Sequence, residues 1–174
     1  MTICFVTVGT TRFDELVTAA VSEPVLSALH LIFHVDSMVV QYGHGAPVGA
    51  VTHPDVRVSS FGFKPSLAHD MAQADVIISH AGAGSLIEAL RLRKLTVAVV
   101  NDTLMGNHQE ELAFALRQRN YLVAVASSPA RLLEALTQCD LATPRVPYPP
   151  RNPRAFAALV DEEMGFALQA TKEE

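Results

Sequence analysis

Ala74-Asp75-Val76-Ile77-Ile78-Ser79-His80-Ala81-Gly82-Ala83-Gly84-Ser85-Leu86-Ile87-Glu88 is the stretch on which the fold class turns. Residues 76–79 read as a short strand apolar on both faces, which is what a sheet covered by helices on both sides requires. Small residues follow, and then the start of a helix. Working outward, strand-like runs recur at residues 3–8, 29–33, 39–42, 56–61, 96–100 and 122–126. Helical periodicity separates several of them: Phe13, Leu16, Val17 and Ala20 share one stripe, and Leu112 and Leu116 lie on one face of a segment that follows Asn107. Short strands alternating with such spacers imply βαβ units. The expected fold class is α/β, a doubly wound and mostly parallel sheet.

Local start signals agree. Ser128-Pro129 has the pattern of an N-cap followed by proline in the first turn, and Asn107 stands three residues before Glu110. Between residues 143 and 153 five prolines interrupt any regular element. The chain is therefore expected to divide into a nucleotide-binding domain over residues 1–142 and, over 143–174, a connector leading to a last helix from Arg154 to about Ala170. That helix places Phe156, Leu159, Val160 and Met164 near one face, suited to docking on a partner or folding back.

With 13 basic and 18 acidic residues among 174, the chain carries a net charge of −5 and no Lys/Arg stripe that would track phosphates along a duplex, so nucleic acid is not an expected partner. Cys4 and Cys139 form no spaced framework and fit a reducing compartment. The first apolar run lacks a basic leader and reads as a strand. No apolar run approaches the roughly 20 residues of a spanning helix, so membrane contact is expected to be peripheral or borrowed.

In open parallel sheets ligands bind beyond the carboxyl ends of the strands, which singles out three loops. Gly9-Thr10-Thr11 offers close backbone approach and two hydroxyls ahead of a helix, although Thr11 could equally cap that helix. His80-Ala81-Gly82-Ala83-Gly84-Ser85 leaves bare backbone at a helix start, fit for a diphosphate, with the Glu88 carboxylate one turn on and in reach of a ribose diol. Ser85-x-x-Glu88 also satisfies a capping box, so both readings stand open. His80 is either a ligand to the anion or sugar, or a satisfied loop histidine. The third loop, Asn101 to Leu112, gathers Asn107, His108 and Gln109 at a helix start; capping accounts for Asn107 but leaves His108 and Gln109 unexplained.

Familiar alternatives fail. After Gly82 and Gly84 the third position of a dinucleotide fingerprint is Ile87, and no Walker, Gly-x-Ser-x-Gly or Asp-x-Asp pattern occurs. None of the seven histidines stands at a zinc spacing on an expected helix, so neither metal nor cofactor is expected.

The strings Val6-Thr7-Val8-Gly9-Thr10-Thr11-x-Phe13-Asp14-x-Leu16, Ala74-Asp75-x-Ile77-Ile78-Ser79-His80-Ala81-Gly82-Ala83-Gly84-Ser85 and Leu104-Met105-x-Asn107-His108-Gln109-x-Glu111-Leu112-Ala113 closely resemble the catalytic-subunit family of the eukaryotic dolichol-linked N-acetylglucosaminyltransferases. That family groups with the C-terminal domain of glycosyltransferase family 28. The match continues to Tyr148-Pro149-Pro150 and the final segment. The resemblance implies the Rossmann-like donor-binding half of a GT-B enzyme. It also implies inverting transfer of N-acetylglucosamine from UDP-N-acetylglucosamine to N-acetylglucosaminyl-diphosphodolichol, the second step of lipid-linked oligosaccharide assembly. A separate membrane-anchored, acceptor-binding subunit is implied, recruiting the cytoplasmic chain to the cytosolic face of the endoplasmic reticulum and carrying the general base. By analogy with the bacterial lipid II glycosyltransferase, Phe63 packs near the uracil, the Lys64 backbone reads its edge and Glu88 meets the ribose. Thr10, Thr11 and Gly82 to Ser85 then lie near the diphosphate, and Met105 and Asn107 to Gln109 near the sugar. The sequence departs from the family at Lys94-Leu95, where Lys-Pro is usual. A related exopolysaccharide transferase subunit and a non-catalytic UDP-sugar-binding protein remain as alternatives.

Overall fold

A computed structural model describes residues 1–101 and 108–150 of the chain. Six strands form one sheet, β1 (Thr2–Thr7), β2 (Val35–Gln41), β3 (Arg57–Phe61), β4 (Val76–Ser79), β5 (Leu95–Val99) and β6 (Ala124–Ala126). Their order is β3-β2-β1-β4-β5-β6, and every pairing is parallel. The chain starts in the middle of the sheet, winds outward to β3, crosses back and winds the other way. The order therefore reverses between β1 and β4, and this switch point opens a crevice at the carboxyl ends of those two strands.

Helices α1 (Asp14–Ala20), α2 (Glu23–Phe33) and α6 (Leu132–Thr137) cover one face, where Leu16, Val17, Leu26, Leu29, Leu132 and Leu136 pack on Cys4, Val6, Met38, Ile78 and Val97. On the other face, α3 (Ala68–Gln73) and α4 (Ala83–Arg91) close over Phe5 and Ile77 through Met71 and Ala89. Beside them α5 (His108–Gln118) joins α4 over Ala98 through Leu86, Leu90 and Leu116. All four residues of β4 are buried, which explains why that strand is apolar without alternation.

The structure corrects the reading of residues 29–33 as a strand, since Leu29 to Phe33 form the last turns of α2. A five-residue apolar run fits either element. The wider window decides: Val25, Leu26, Leu29 and Phe33 form a buried helical stripe, while Leu31 is 74% exposed. His34 takes a left-handed conformation (φ 56°) and ends the helix directly against β2, so the turn signal expected before a strand is missing. Strand β2 accordingly begins at Val35, earlier than residue 39. Ser128 holds the N-cap position of the 3-10 turn Pro129–Arg131 that leads into α6, without a side-chain capping bond.

The proline-rich connector lies along the edge of the domain. Val146 N donates to Asn120 O at 3.1 Å, the Asn120 amide donates to Pro144 O at 2.8 Å, and Tyr148 meets Tyr121 edge-on with centroids 5.2 Å apart. The Arg145 guanidinium reaches Asn120 Oδ1 and the carbonyls of Leu122 and Asp140. The final helix expected from Arg154 lies outside the described residues.

Candidate nucleotide site at the switch point

A cleft of about 470 Å³ opens at the switch point. Gly9 and Thr10 line it from the turn after β1, Phe63 and Lys64 from the segment after β3, and His80, Gly82, Ala83, Gly84, Ser85 and Glu88 from the turn after β4 and the first turns of α4. Ten of the sixteen expected residues thus converge on one cavity from three separate loops. Thr11 and Ala81 belong to the same turns without lining it. Met105, Asn107 and the side chain of His108 lie outside the described residues. Gln109 stands in the first turn of α5, and its Oε1 is buried without a hydrogen-bond partner. Ser79 Oγ, at the carboxyl end of β4, is the other buried orphan among the described residues. Ser79 ends β4 and Gln109 lies at the start of α5, the helix that follows the carboxyl end of β5.

The second turn is built around His80. Its side chain is only 8% exposed, and Nδ1–H donates to the Thr7 carbonyl at 3.3 Å. That bond makes Nε2 the lone-pair nitrogen of the neutral ring. Burial lowers the His80 pKa, with the Thr7 carbonyl partly opposing, so the imidazole is held neutral. The ring is wedged between two glycines: a Cβ on Gly9 would stand 2.9 Å from Cε1, and one on Gly82 would stand 2.3 Å from Nε2. Ala81 is forced into the left-handed region (φ 63°), and Gly82 then extends (φ −66°, ψ 129°) as the N-cap of α4.

This geometry settles the capping question. Helix α4 begins at Ala83, so Ser85 sits inside the first turn and makes no capping bond; the capping-box reading of Ser85 and Glu88 does not hold. The first bond of the helix is Leu86 N to Gly82 O at 3.0 Å. Among the described residues the amides of Ala83, Gly84 and Ser85 have no protein partner, and all three residues line the cleft at the positive end of the helix dipole. The Glu88 carboxylate lines the cleft and forms no ion pair among the described residues. Capping fails for Thr11 as well. Its hydroxyl donates to Val8 O at 2.7 Å, closing the first turn, and α1 starts later with Phe13 as its N-cap.

Sequence reasoning missed the residue that holds this first turn. Gln41, fully buried at the end of β2, accepts from Thr7 Oγ1 (2.7 Å), Val8 N (3.1 Å) and Gly9 N (3.0 Å), and its amide donates to Gly9 O at 2.7 Å. A lone amide in an apolar run just ahead of a glycine was the available signal. Also missed were Pro65, Ser66, Leu67 and Met71, which line the cleft beside Phe63 and come from the unread helix α3 and its approach. Phe61, at the end of β3, stacks on Phe5 with centroids 6.2 Å apart. The Lys64 ammonium lies 3.9 Å from the Phe61 ring centroid and bridges to Asp70 at 2.9 Å, and the residue lines the cleft.

A model of the glycosyltransferase family 28 C-terminal domain matches residues 3–162. The UDP-N-acetylglucosamine transferase subunit ALG13 of Mus musculus is 43% identical over 119 residues, covering 68% of this chain and 10% of that protein. Its namesake in Yarrowia lipolytica is 35% identical over 140 residues, 78% of this chain and 71% of that protein. The chain therefore spans about a tenth of the mouse relative and most of the yeast one. A solution structure of ALG13 shares the fold with a TM-score of 0.65 at 22% identity, covering 91% of this chain and 94% of that one. MurG of Acinetobacter baumannii shares it with a TM-score of 0.51 at 18% identity over 77% of this chain and 40% of its own. With the match extending over nearly all of its length and a parallel sheet of the same architecture beneath it, this chain belongs to the glycosyltransferase family 28 C-terminal domain family.

Proposed function

We propose that the chain is the donor-binding subunit of an inverting glycosyltransferase that moves N-acetylglucosamine from UDP-N-acetylglucosamine to N-acetylglucosaminyl-diphosphodolichol. The observation that carries this reading is the cleft at the switch point, where the unpaired amides of Ala83, Gly84 and Ser85 face the Gly9 turn across His80. In an inverting displacement the acceptor hydroxyl attacks the anomeric carbon and the diphosphate departs with growing negative charge. Fixed amide donors at a helix start stabilise that charge without reorganising, which is the electrostatic part of catalysis. His80, held neutral by burial, becomes a donor through Nε2 once an anion favours its protonated form. Phe63 provides an aromatic face for the uracil, and Glu88 an acceptor for the ribose hydroxyls.

None of the cleft residues stands as a base opposite the anomeric carbon in this reading. The acceptor and the general base belong to a membrane-anchored partner subunit, which recruits this chain to the cytosolic face of the endoplasmic reticulum. The names of the ALG13 relatives, as subunits of a UDP-N-acetylglucosamine transferase, support both the donor and the need for a partner. Among the described residues no single helix is long and apolar enough to cross a membrane. The test has two arms. Calorimetry with UDP-N-acetylglucosamine should give a Kd that Glu88→Ala raises about tenfold or more, by loss of hydrogen bonds to a charged acceptor. An unchanged Kd removes Glu88 from the site. Radiolabelled transfer to the dolichol-linked acceptor should require the added membrane subunit, and robust transfer by the lone chain would refute the division of labour.

A further inference from the structure

The loop after β2 contributes nothing to the expected site, yet it touches two of its parts. Gly43 lies in the left-handed region (φ 59°), and a Cβ there would stand 2.3 Å from the Thr11 carbonyl oxygen, so the loop backbone is pressed against the Gly9-Thr10-Thr11 turn. His44 N donates to Thr11 O at 3.2 Å. From that anchored position the His44 imidazole does two things. Its Nδ1–H donates to the Thr10 carbonyl at 2.9 Å, and its ring stacks on Phe63 with centroids 5.1 Å apart and planes 18° apart. Thr10 and Phe63 both line the cleft; His44 does not.

We propose that His44 is a positioning residue that joins the Phe63 ring and the Thr10 turn into one preorganised wall of the cleft, so that binding of a pyrimidine nucleoside diphosphate depends on a side chain it does not touch. This rests on the nucleotide reading above and extends it. Phe63 is 48% exposed and follows a glycine, so nothing in its own segment fixes the ring. The imidazole covers one face and leaves the other to the cleft. A ring already held in place loses no rotamer freedom when a base stacks on it, and that saving appears as affinity. The same imidazole fixes the Thr10 carbonyl, and with it the direction of the turn whose backbone meets the diphosphate. Base and diphosphate recognition, carried by loops over fifty residues apart, are thereby set by one residue.

The experiment titrates wild type, His44→Ala, His44→Phe and His44→Asn with UDP and, as a base-free probe, with inorganic pyrophosphate, following binding by calorimetry or NMR. Because His44 is exposed, all four proteins should melt alike. His44→Ala should weaken UDP about tenfold and pyrophosphate only about threefold, since it loses a ring stack and a hydrogen bond in the first case but only the hydrogen bond in the second. His44→Phe, which keeps a stacking ring, should recover most of the UDP loss but not the pyrophosphate loss. His44→Asn, which keeps a donor in reach of the Thr10 carbonyl, should do the reverse. A His44→Ala protein that binds UDP like wild type overturns the proposal, as does a loss that is equal for the two ligands and restored by neither rescue variant. Wild type failing to bind UDP at all would bring down the nucleotide reading itself, a result separable from the others because it needs no variant.

Discussion

Gly82 and Gly84 stand two positions apart in one turn and are glycine for different reasons. A Cβ at Gly82 would collide with His80 Nε2 at 2.3 Å, so the fold itself forbids a side chain there. Around Gly84 no atom lies within 4 Å of where a Cβ would be, and its place in the first turn of α4 favours a better helix former. A glycine that the fold does not need marks space kept for a ligand. Gly84→Ala should therefore raise stability by about 0.5–1 kcal/mol while weakening UDP binding. Thermal melts paired with calorimetry read both effects, and unchanged affinity would detach the α4 turn from the diphosphate. His80 yields a pH dependence of definite sign. Its folded pKa lies below the ordinary value near 6.5, so the unfolded chain takes up the extra proton first. The stability contributed by the neutral ring is complete above about pH 6.5 and is lost as pH falls through the folded value. Melting temperatures from pH 7.5 down to 5.5 should fall more steeply for wild type than for His80→Gln, which has no proton to gain.

At the scale of elements, α2 is where local pattern and final structure part. The run Leu29-His30-Leu31-Ile32-Phe33 is as apolar as a genuine strand, and only the stripe reaching back to Val25 reveals the helix. The consequence is measurable. Leu29 is fully buried against the sheet, whereas Leu31 is 74% exposed. Leu29→Ala should cost about 2–5 kcal/mol by chemical denaturation, and Leu31→Glu should fall within about 0.5 kcal/mol of wild type. Equal, large losses at both positions would contradict the helix. The loop helices differ from α2 in having been legible at their starts but not in their caps. Ser85 and Thr11 carry cap-forming hydroxyls, and the structure moves both out of the capping position by starting α4 earlier and α1 later than their hydroxyls require.

For the molecule as a whole, the two free thiols report on different depths. Cys4 is fully buried in the central strand, and burial pushes its pKa up to about 12; Cys139 is half-buried near the end of the last described helix. A thiol reagent should label Cys139 in the native protein and reach Cys4 only through opening of the sheet, about 10³-fold more slowly or beyond. Mass spectrometry of a labelling time course checks this, and comparable rates at both sites would mean that β1 is not the centre of a cooperative core.

The amino-acid sequence by itself determined the parallel α/β class and the positions of the glycine turns that follow β1 and β4. These follow from β-branched runs, small residues and spacing, all of which act over a few positions. Tertiary structure decided what such short-range signals leave open. Whether Ser85 caps or is free depends on where Ala81 bends the chain, and that depends on His80 reaching back to Thr7. Gln41 and His44 matter only because parallel pairing lays β2 beside β1, bringing an amide and an imidazole against a turn more than thirty residues away. A side chain whose partner is chosen by strand order carries no local signature, so its role becomes visible only when the sheet has assembled.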